Sequence, residues 1–364
     1  MMDGVGSLRL SDYGMMGNLV SDSATVRQRL DSLTEQSSTG LVASTYAGLG
    51  SGAAVSLDLN PDIDRLKTWQ SNINAATGRA DVTQSAMTQI QQIASDLFAQ
   101  LNNLPGTLGS EVDAIAASAR DALGQVANLL DTTNGGTYVF GGADTANPPV
   151  PNPDSITSSG FYTQIAAAVA NLGTAGAAGT ATATLGIAGS NVSGTSPFSA
   201  HMSQSATTLQ TELPRVEVGE GHTIQIGLLA SGNAVVSSTG SSTTGSYMRD
   251  LMRALATVGS LSSSQQKDPG FQALVQDTRT SLNGAIAAMA ADTGVLGNRQ
   301  AALTATQTEL AATQVAVTKQ VGSVQDVDMA ATLSNLSLVQ TQLQASYQMI
   351  SAIGGLSLVK FLAV

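Results

Sequence analysis

From Met329 to Val359 the chain carries no Asp, Glu, Lys or Arg, yet Asn335, Gln340, Gln342, Gln344 and Gln348 are spread through it with several Ser and Thr. This stretch is too polar for lipid, where each unsatisfied polar group costs several kcal/mol. It is also too uncharged for an ordinary solvent-facing helix. Its apolar residues keep helical spacing: Met329, Leu333, Leu336, Leu343, Tyr347 and Ile350, with Gln340 inside the stripe. One environment suits such a helix, namely burial against other helices with side-chain amides bonding between neighbours. A single helix at a chain end has few partners of its own. Other copies of the chain supply them most simply, and the lack of partners predicts that both chain ends order on assembly.

A second stripe lies near the other end. Met16, Leu19, Val26, Leu30 and Leu33 recur at spacings built from 3 and 4, with Ser23 filling the gap. We take Met16, Leu19, Val26, Leu30 and Leu33, with Leu333, Leu336, Gln340, Leu343, Tyr347 and Ile350, as the candidate assembly interface. Between the ends, Asn60-Pro61-Asp62 reads as a helix start, with Asn60 as N-cap and Pro61 in the first turn. A long stripe follows: Leu66, Trp69, Ile73, Ala76, Ala80, Thr83, Met87, Ile90, Ala94, Leu97, Leu101 and Leu104. Pro105-Gly106 breaks it. Ser110 and Asp113 open another helix, which Asn134-Gly135-Gly136 stops. Helix returns near Tyr247. Asp268-Pro269 marks a further start, and Leu296, Leu303, Leu310, Val317 and Val324 recur every seventh residue.

The segment 143–246 differs. It is rich in Gly, Ala, Thr, Ser and Pro, and Val216, Val218, Ile224, Ile226 and Leu228 alternate around Gly219-Glu220-Gly221, a hairpin signal. The expected fold is mainly α with a β-rich insertion. Long terminal helices form a coiled-coil or bundle core, and a variable middle domain faces outward. We expect three parts: a terminal helical arm of 1–45 with 326–364, a helical bundle core of 46–142 with 247–325, and a variable β-rich inserted domain of 143–246. The insert is expected to be peripheral and removable, entered and left by adjacent strands.

Composition narrows the function classes. Charged residues are 11% of the chain, the net charge is −11 and the pI about 4.4. There is no basic cluster, so no nucleic-acid footprint. With no Cys, thiol catalysis and Cys-type zinc sites are excluded. The first residues lack the basic and apolar regions of a cleaved secretory signal, and no run is apolar enough to span a membrane. His201 and His222 have no ligand partner at helical spacing. Gly48-Leu49-Gly50-Ser51-Gly52 lacks the preceding strand and following Lys of a phosphate loop and reads as a connector. Asp326 and Asp328 read as helix N-terminal charge. No catalytic residue, cofactor, metal or membrane insertion is expected, and the chain is not read as an enzyme.

The order of segments resembles a family. Asp326-Val327-Asp328-Met329-Ala330 through Ile353-Gly354-Gly355-Leu356-Ser357-Leu358-Val359-Lys360-Phe361-Leu362 is similar to bacterial flagellins and hook-associated protein 3, and the ending from Ile353 to Leu362 is closer to the latter. Gln28-Arg29-Leu30 through Ser37-Ser38-Thr39-Gly40, Tyr138-Val139-Phe140-Gly141-Gly142 and Val216-Glu217-Val218-Gly219-Glu220-Gly221 resemble further segments of that family. Together they cover roughly 1–142 and 214–364. After Thr39-Gly40 the family often has basic residues and an Asp-Asp run, whereas Leu41 to Ser56 here is uncharged and Gly-rich. The resemblance implies a non-enzymatic flagellar subunit, at the hook–filament junction or, alternatively, in the filament. It implies an inner tube of paired N- and C-terminal helices, export through the flagellar type III channel, and motility that depends on assembly. Implied partners are other copies, flagellin, hook-associated proteins and an export chaperone.

Overall fold

The long apolar stripes become long helices. In the computed structural model, which describes residues 6–106, 109–234, 238, 240 and 242–362 (side chains of 6–16, 105 and 353–362 excepted), helix makes up 73%. The chain divides into two units, Met1–Lys67 with Ala312–Val364, and Thr68–Ala311. Helices α1 (Gly6–Thr39) and α9 (Met329–Leu362) belong to the first unit. The boundary falls within α2 (Gly52–Asn103) and within α8 (Phe271–Gln325).

In the second unit the stripe of α2 is the core. Ile73, Met87, Ile90, Ala94 and Leu101 are fully buried, and Thr83 sits among them with its hydroxyl returned to the Arg79 carbonyl. Opposite, Leu282, Met289, Leu296 and Leu303 of α8 are buried. Polar rungs flank this apolar seam: Asn74 with Gln307 at 2.6 Å, Asp81 with Gln300 at 2.9 Å, Gln91 with Thr293 at 3.0 Å and Asn102 with Arg279 at 3.0 Å. Residue numbers rise along α2 as they fall along α8, so the two run antiparallel. Directional bonds along the seam penalise a slipped register, which the apolar residues alone would tolerate.

Helix α3 (Gly109–Leu130) packs Val112, Leu123, Val126 and Leu130 into the same core. It is joined there by α7 (Tyr247–Gly259), every residue of which is buried. A helix buried all round must satisfy its charges locally. Arg249 donates to the carbonyls of Ser231 (3.0 Å), Ala188 (3.0 Å) and Ser190 (3.2 Å) and to Asn191 Oδ1 (2.7 Å), and stacks over Phe198. Arg253 lies 3.6 Å from Asp277 and donates to Ser242. Asp250 accepts from the Thr244 N–H and hydroxyl.

Four expectations are corrected. Helix α2 begins at Gly52, so Pro61 lies inside it rather than in its first turn. Asn60 is not a cap; its amide donates to Ser56 Oγ. Helix α3 ends at Leu130, and Asn134-Gly135-Gly136 is a hairpin turn between β1 (Thr133–Asn134) and β2 (Thr137–Tyr138). Gly135 and Gly136 both take positive φ, as a two-residue hairpin demands. The segment 143–246 holds the expected hairpin, β3 (Arg215–Gly219) with β4 (His222–Gln225), but otherwise little strand. It folds instead as α4 (Gly160–Ala170), α5 (Leu172–Ala188) and α6 (Ala206–Thr211) with irregular chain. Nor is it peripheral. Val150, Ile156, Phe161, Ile165, Val169, Leu172, Phe198, Met202 and Leu209 belong to one core with α2, α3, α7 and α8. A smaller cluster joins Val218 and Ile226 of the hairpin region to Ile73 and Leu303.

Candidate assembly interface

Helices α1 and α9 pair within one chain, which corrects the expectation that a terminal helix lacks partners of its own and, with it, the ground for expecting both ends to order only on assembly. Asp328 starts α9, its Oδ1 accepting from the Ala330 and Ala331 N–H groups at 2.9 and 3.1 Å. That bond pattern satisfies two orphan donors and places negative charge at the positive end of the helix. Just before it, the chain breaks between α1 and α2 and between α8 and α9 lie side by side. Val42 N donates to the Gln325 carbonyl at 2.7 Å and Val327 N to the Gly40 carbonyl at 2.9 Å, an antiparallel bridge of Leu41 with Asp326.

On α1 the expected stripe faces inward. Leu19, Val26, Leu30 and Leu33 are half-buried and Ser23 is buried. The side chain of Met16 lies outside the described residues. On α9 the inward row is Thr332, Leu336, Val339, Leu343, Ser346 and Ile350, of which Val339 is 2% and Thr332 6% exposed. Leu336, Leu343 and Ile350 thus face α1 of the same chain. Leu333, Gln340 and Tyr347 do not; they are exposed, one residue round the helix from the inward row. Large apolar Leu333 and Tyr347 had drawn the second line of the stripe to themselves. Small Thr332 and Ser346 carry no hydropathy signal, but Val339 does: it lies three residues after Leu336 and four before Leu343. Arg27 of α1 reaches the flank, donating to the Tyr347 hydroxyl and lying over its ring, 5.8 Å from the centroid.

The outer surface of this unit is unusual. Val20, Val42, Tyr46, Leu57, Val315, Met329, Leu333, Leu338, Tyr347 and Met349 are exposed; among the described residues, only Val192 is an exposed large apolar side chain outside it. Exposed apolar side chains gathered on one unit, while the other buries its own, mark an interaction surface. Asn335, Gln340, Gln342, Gln344 and Gln348 are exposed with them, offering uncharged donors and acceptors.

The histidines lie elsewhere. His201 Nε2 is 3.5 Å from Glu212, and His222 begins β4. Among the described residues no group of three or more His, Cys, Asp or Glu could hold a metal ion, and no helix is long and apolar enough to cross a membrane.

Residues 11–145 match the family model of the bacterial flagellin N-terminal helical region, and residues 280–362 that of the bacterial flagellin C-terminal helical region. The two cover more than half of the chain. No curated protein sequence matches. A solved structure from Vibrio parahaemolyticus, provisionally assigned as a flagellar hook-associated protein, is similar in fold, with a TM-score of 0.51 at 12% identity over 74% of this chain and 96% of that one.

Proposed function

Because this chain belongs to the bacterial flagellin family, we propose that it is a structural subunit of the hook–filament junction, built into the flagellum through α1 and α9. The observation that carries this reading is the concentration of exposed apolar side chains on the unit that holds both terminal helices. The fold shared with a protein provisionally assigned as hook-associated fits the family, and the resemblance of Ile353 to Leu362 to hook-associated protein 3 favours the junction over the filament. In this reading 1–45 with 326–364 is the arm that enters the inner tube, and the candidate interface residues divide by face. Leu19, Val26, Leu30, Leu33, Leu336, Leu343 and Ile350 hold α1 to α9. Leu333, Gln340 and Tyr347 meet neighbouring subunits, which are other copies or other axial proteins. The chain leaves the cell through the flagellar export apparatus, escorted by an export chaperone, and carries no catalytic, cofactor or metal site.

The test is a deletion strain. Junction loss leaves hooks on the cell and sheds filament protein into the medium. A strain that makes no filament protein at all, with the missing chain dominating the mass of sheared wild-type filaments, supports the alternative, a filament flagellin. Both family models are of flagellin helices, which keeps that alternative in play.

A further inference from the structure

A recess of about 40 Å³ opens between the chain that leads into α7 and one face of α8. Among the described residues, every side chain that lines it carries a hydroxyl: Ser238, Ser242 and Thr243 before α7, Thr280 and Ser281 on α8. A hydroxyl has one proton to give and two lone pairs. Three of these have given theirs away. Ser242 Oγ donates to Asp277 at 2.8 Å and accepts from Arg253 at 3.0 Å. Thr243 Oγ1 donates to the buried Asp250 carboxylate and accepts from Gly245 N at 3.0 Å. Thr280 Oγ1 donates to the Gln276 carbonyl at 2.9 Å. Each keeps only acceptor capacity. Ser281 is 6% exposed, and its Oγ has no partner, whereas the Thr278 and Thr280 hydroxyls return to carbonyls of the preceding turn. A buried hydroxyl left unpaired is costly and calls for a reason.

We propose that the recess binds a small monovalent cation, alkali or ammonium, through the oxygens of Ser242, Thr243, Thr280 and Ser281. The space exceeds the roughly 10–15 Å³ that one water needs, so an ion of about that size fits. Charge around the recess balances, with Asp250 and Asp277 against Arg249 and Arg253, and orientation decides the sign. Neither Arg lines the wall. Arg249 gives its donors to Ser231, Ala188, Ser190 and Asn191, and Arg253 gives Nη2 to Ser242 and sets Nη1 beside Asp277 and Thr184. An anion would meet lone pairs, while a cation meets hydroxyl oxygens whose protons are turned toward the carboxylates behind them. Divalent metals are not favoured, because they draw carboxylate oxygens into direct contact. The site is of another kind than sets of His, Cys, Asp and Glu, of which no group of three or more occurs among the described residues. The bound ion ties the chain entering α7 to α8. The proposal is independent of the subunit reading.

The purified full-length chain is unfolded thermally in choline, sodium, potassium and ammonium chloride at equal ionic strength, which holds general screening constant. Choline is too bulky for a recess of this size and sets the baseline. At least one of the three small ions is expected to raise the midpoint by a few degrees, with a saturating dependence on its concentration, and the ion that does so identifies the source. Ser281→Ala and Thr280→Val each remove one oxygen ligand and are expected to weaken the apparent affinity for that ion at least about threefold. In choline, Ser281→Ala is expected to match or exceed wild type, since it also removes an unpaired hydroxyl from the interior. Thr280 is exposed, so its variant keeps the test open should Ser281→Ala misfold. Equal wild-type midpoints in all four salts, the result for a recess that holds water alone, overturn the proposal. So does an ion-dependent rise that both variants keep in full, or a loss that is the same in every salt.

Discussion

Asp131, one residue past α3, accepts a hydrogen bond from Val150 N at 2.8 Å, tying the end of that helix to the Pro149–Pro151 turn. Burial pushes its carboxyl up to about 6, and the Val150 bond pulls the other way without prevailing. The native state therefore holds this proton more tightly than the unfolded chain does. Stability from the group is fully present below the unfolded value near 4 and is lost as pH rises through about 6. Asp131→Asn keeps an acceptor for Val150 and removes the charge. The thermal midpoint is expected to rise by a few degrees at pH 8 and to stay unchanged at pH 4; equal shifts at both pH values would mean that desolvation of the carboxylate is not the cause. Asp131 and Arg249 were invisible as special residues in the sequence. Each is a charge near a helix end, and only the chain that returns over it, at Val150 or at Ala188–Asn191, takes it out of water.

At the scale of elements, helix periodicity was legible wherever one face packs on one neighbour. The stripe of α2 from Ile73 to Leu104 is buried throughout, because large residues recur on a face covered continuously. On α9 half of the stripe was legible and half was displaced by one residue, because the seam there is made partly of Thr332 and Ser346. Helix α5 was not legible at all. Its sequence, LGTAGAAGTATATLGIA, mixes Gly and Thr with Ala and keeps no apolar stripe, and Gly costs about 1 kcal/mol against Ala. The chain kinks at Gly176, whose φ is 68°, and is helical on either side because Leu172 before the kink and Thr180, Thr184 and Ala188 after it find buried places, a tertiary effect that local propensity does not contain. The two faces of α9 separate experimentally. Val339→Asp puts a carboxylate into the α1 seam, at a cost of several kcal/mol unless it neutralises. In the free chain it is expected to abolish hydrogen-exchange protection of residues 17–33 and 332–350. Leu333→Asp is expected to leave that protection in place and to reduce incorporation into appendages. Loss of protection in both variants, or in neither, would remove the distinction between an inner seam and an outer flank.

At the scale of the whole molecule, the middle segment shares the core of the unit that contains it. Its Gly, Pro and Ser content suggested an appendage that a short linker could replace, but composition reports chain flexibility and not where the chain packs. Helices α4 and α5 pack against α7, with Phe161, Ile165, Val169 and Leu172 in the shared core, and the Tyr162 hydroxyl bonds the Gly259 carbonyl at the end of α7 at 2.8 Å. Removing 150–210 strips one side of a helix that is buried all round, leaving Arg249 without its Ala188, Ser190 and Asn191 acceptors and without Phe198. Fully burying a side chain of Leu or Phe size is worth about 1.5–3 kcal/mol. Nine large apolar residues of the segment share the core, so the loss is comparable with or larger than the roughly 5–15 kcal/mol by which a domain is stable. Residual structure in the unfolded chain lowers the figure but not below that range. A chain with 150–210 replaced by a Gly-Ser linker is therefore expected to aggregate or to elute as an expanded, partly helical species, and to fail to restore swimming in a null strain. Replacing only the exposed turn residues Gly135 and Gly136 by another two-residue hairpin sequence is the matched control and should be tolerated. A soluble deletion protein with full helical signal and a cooperative thermal transition would show that α3, α7 and α8 close over the gap, and that the core of this molecule does not need the segment built into it.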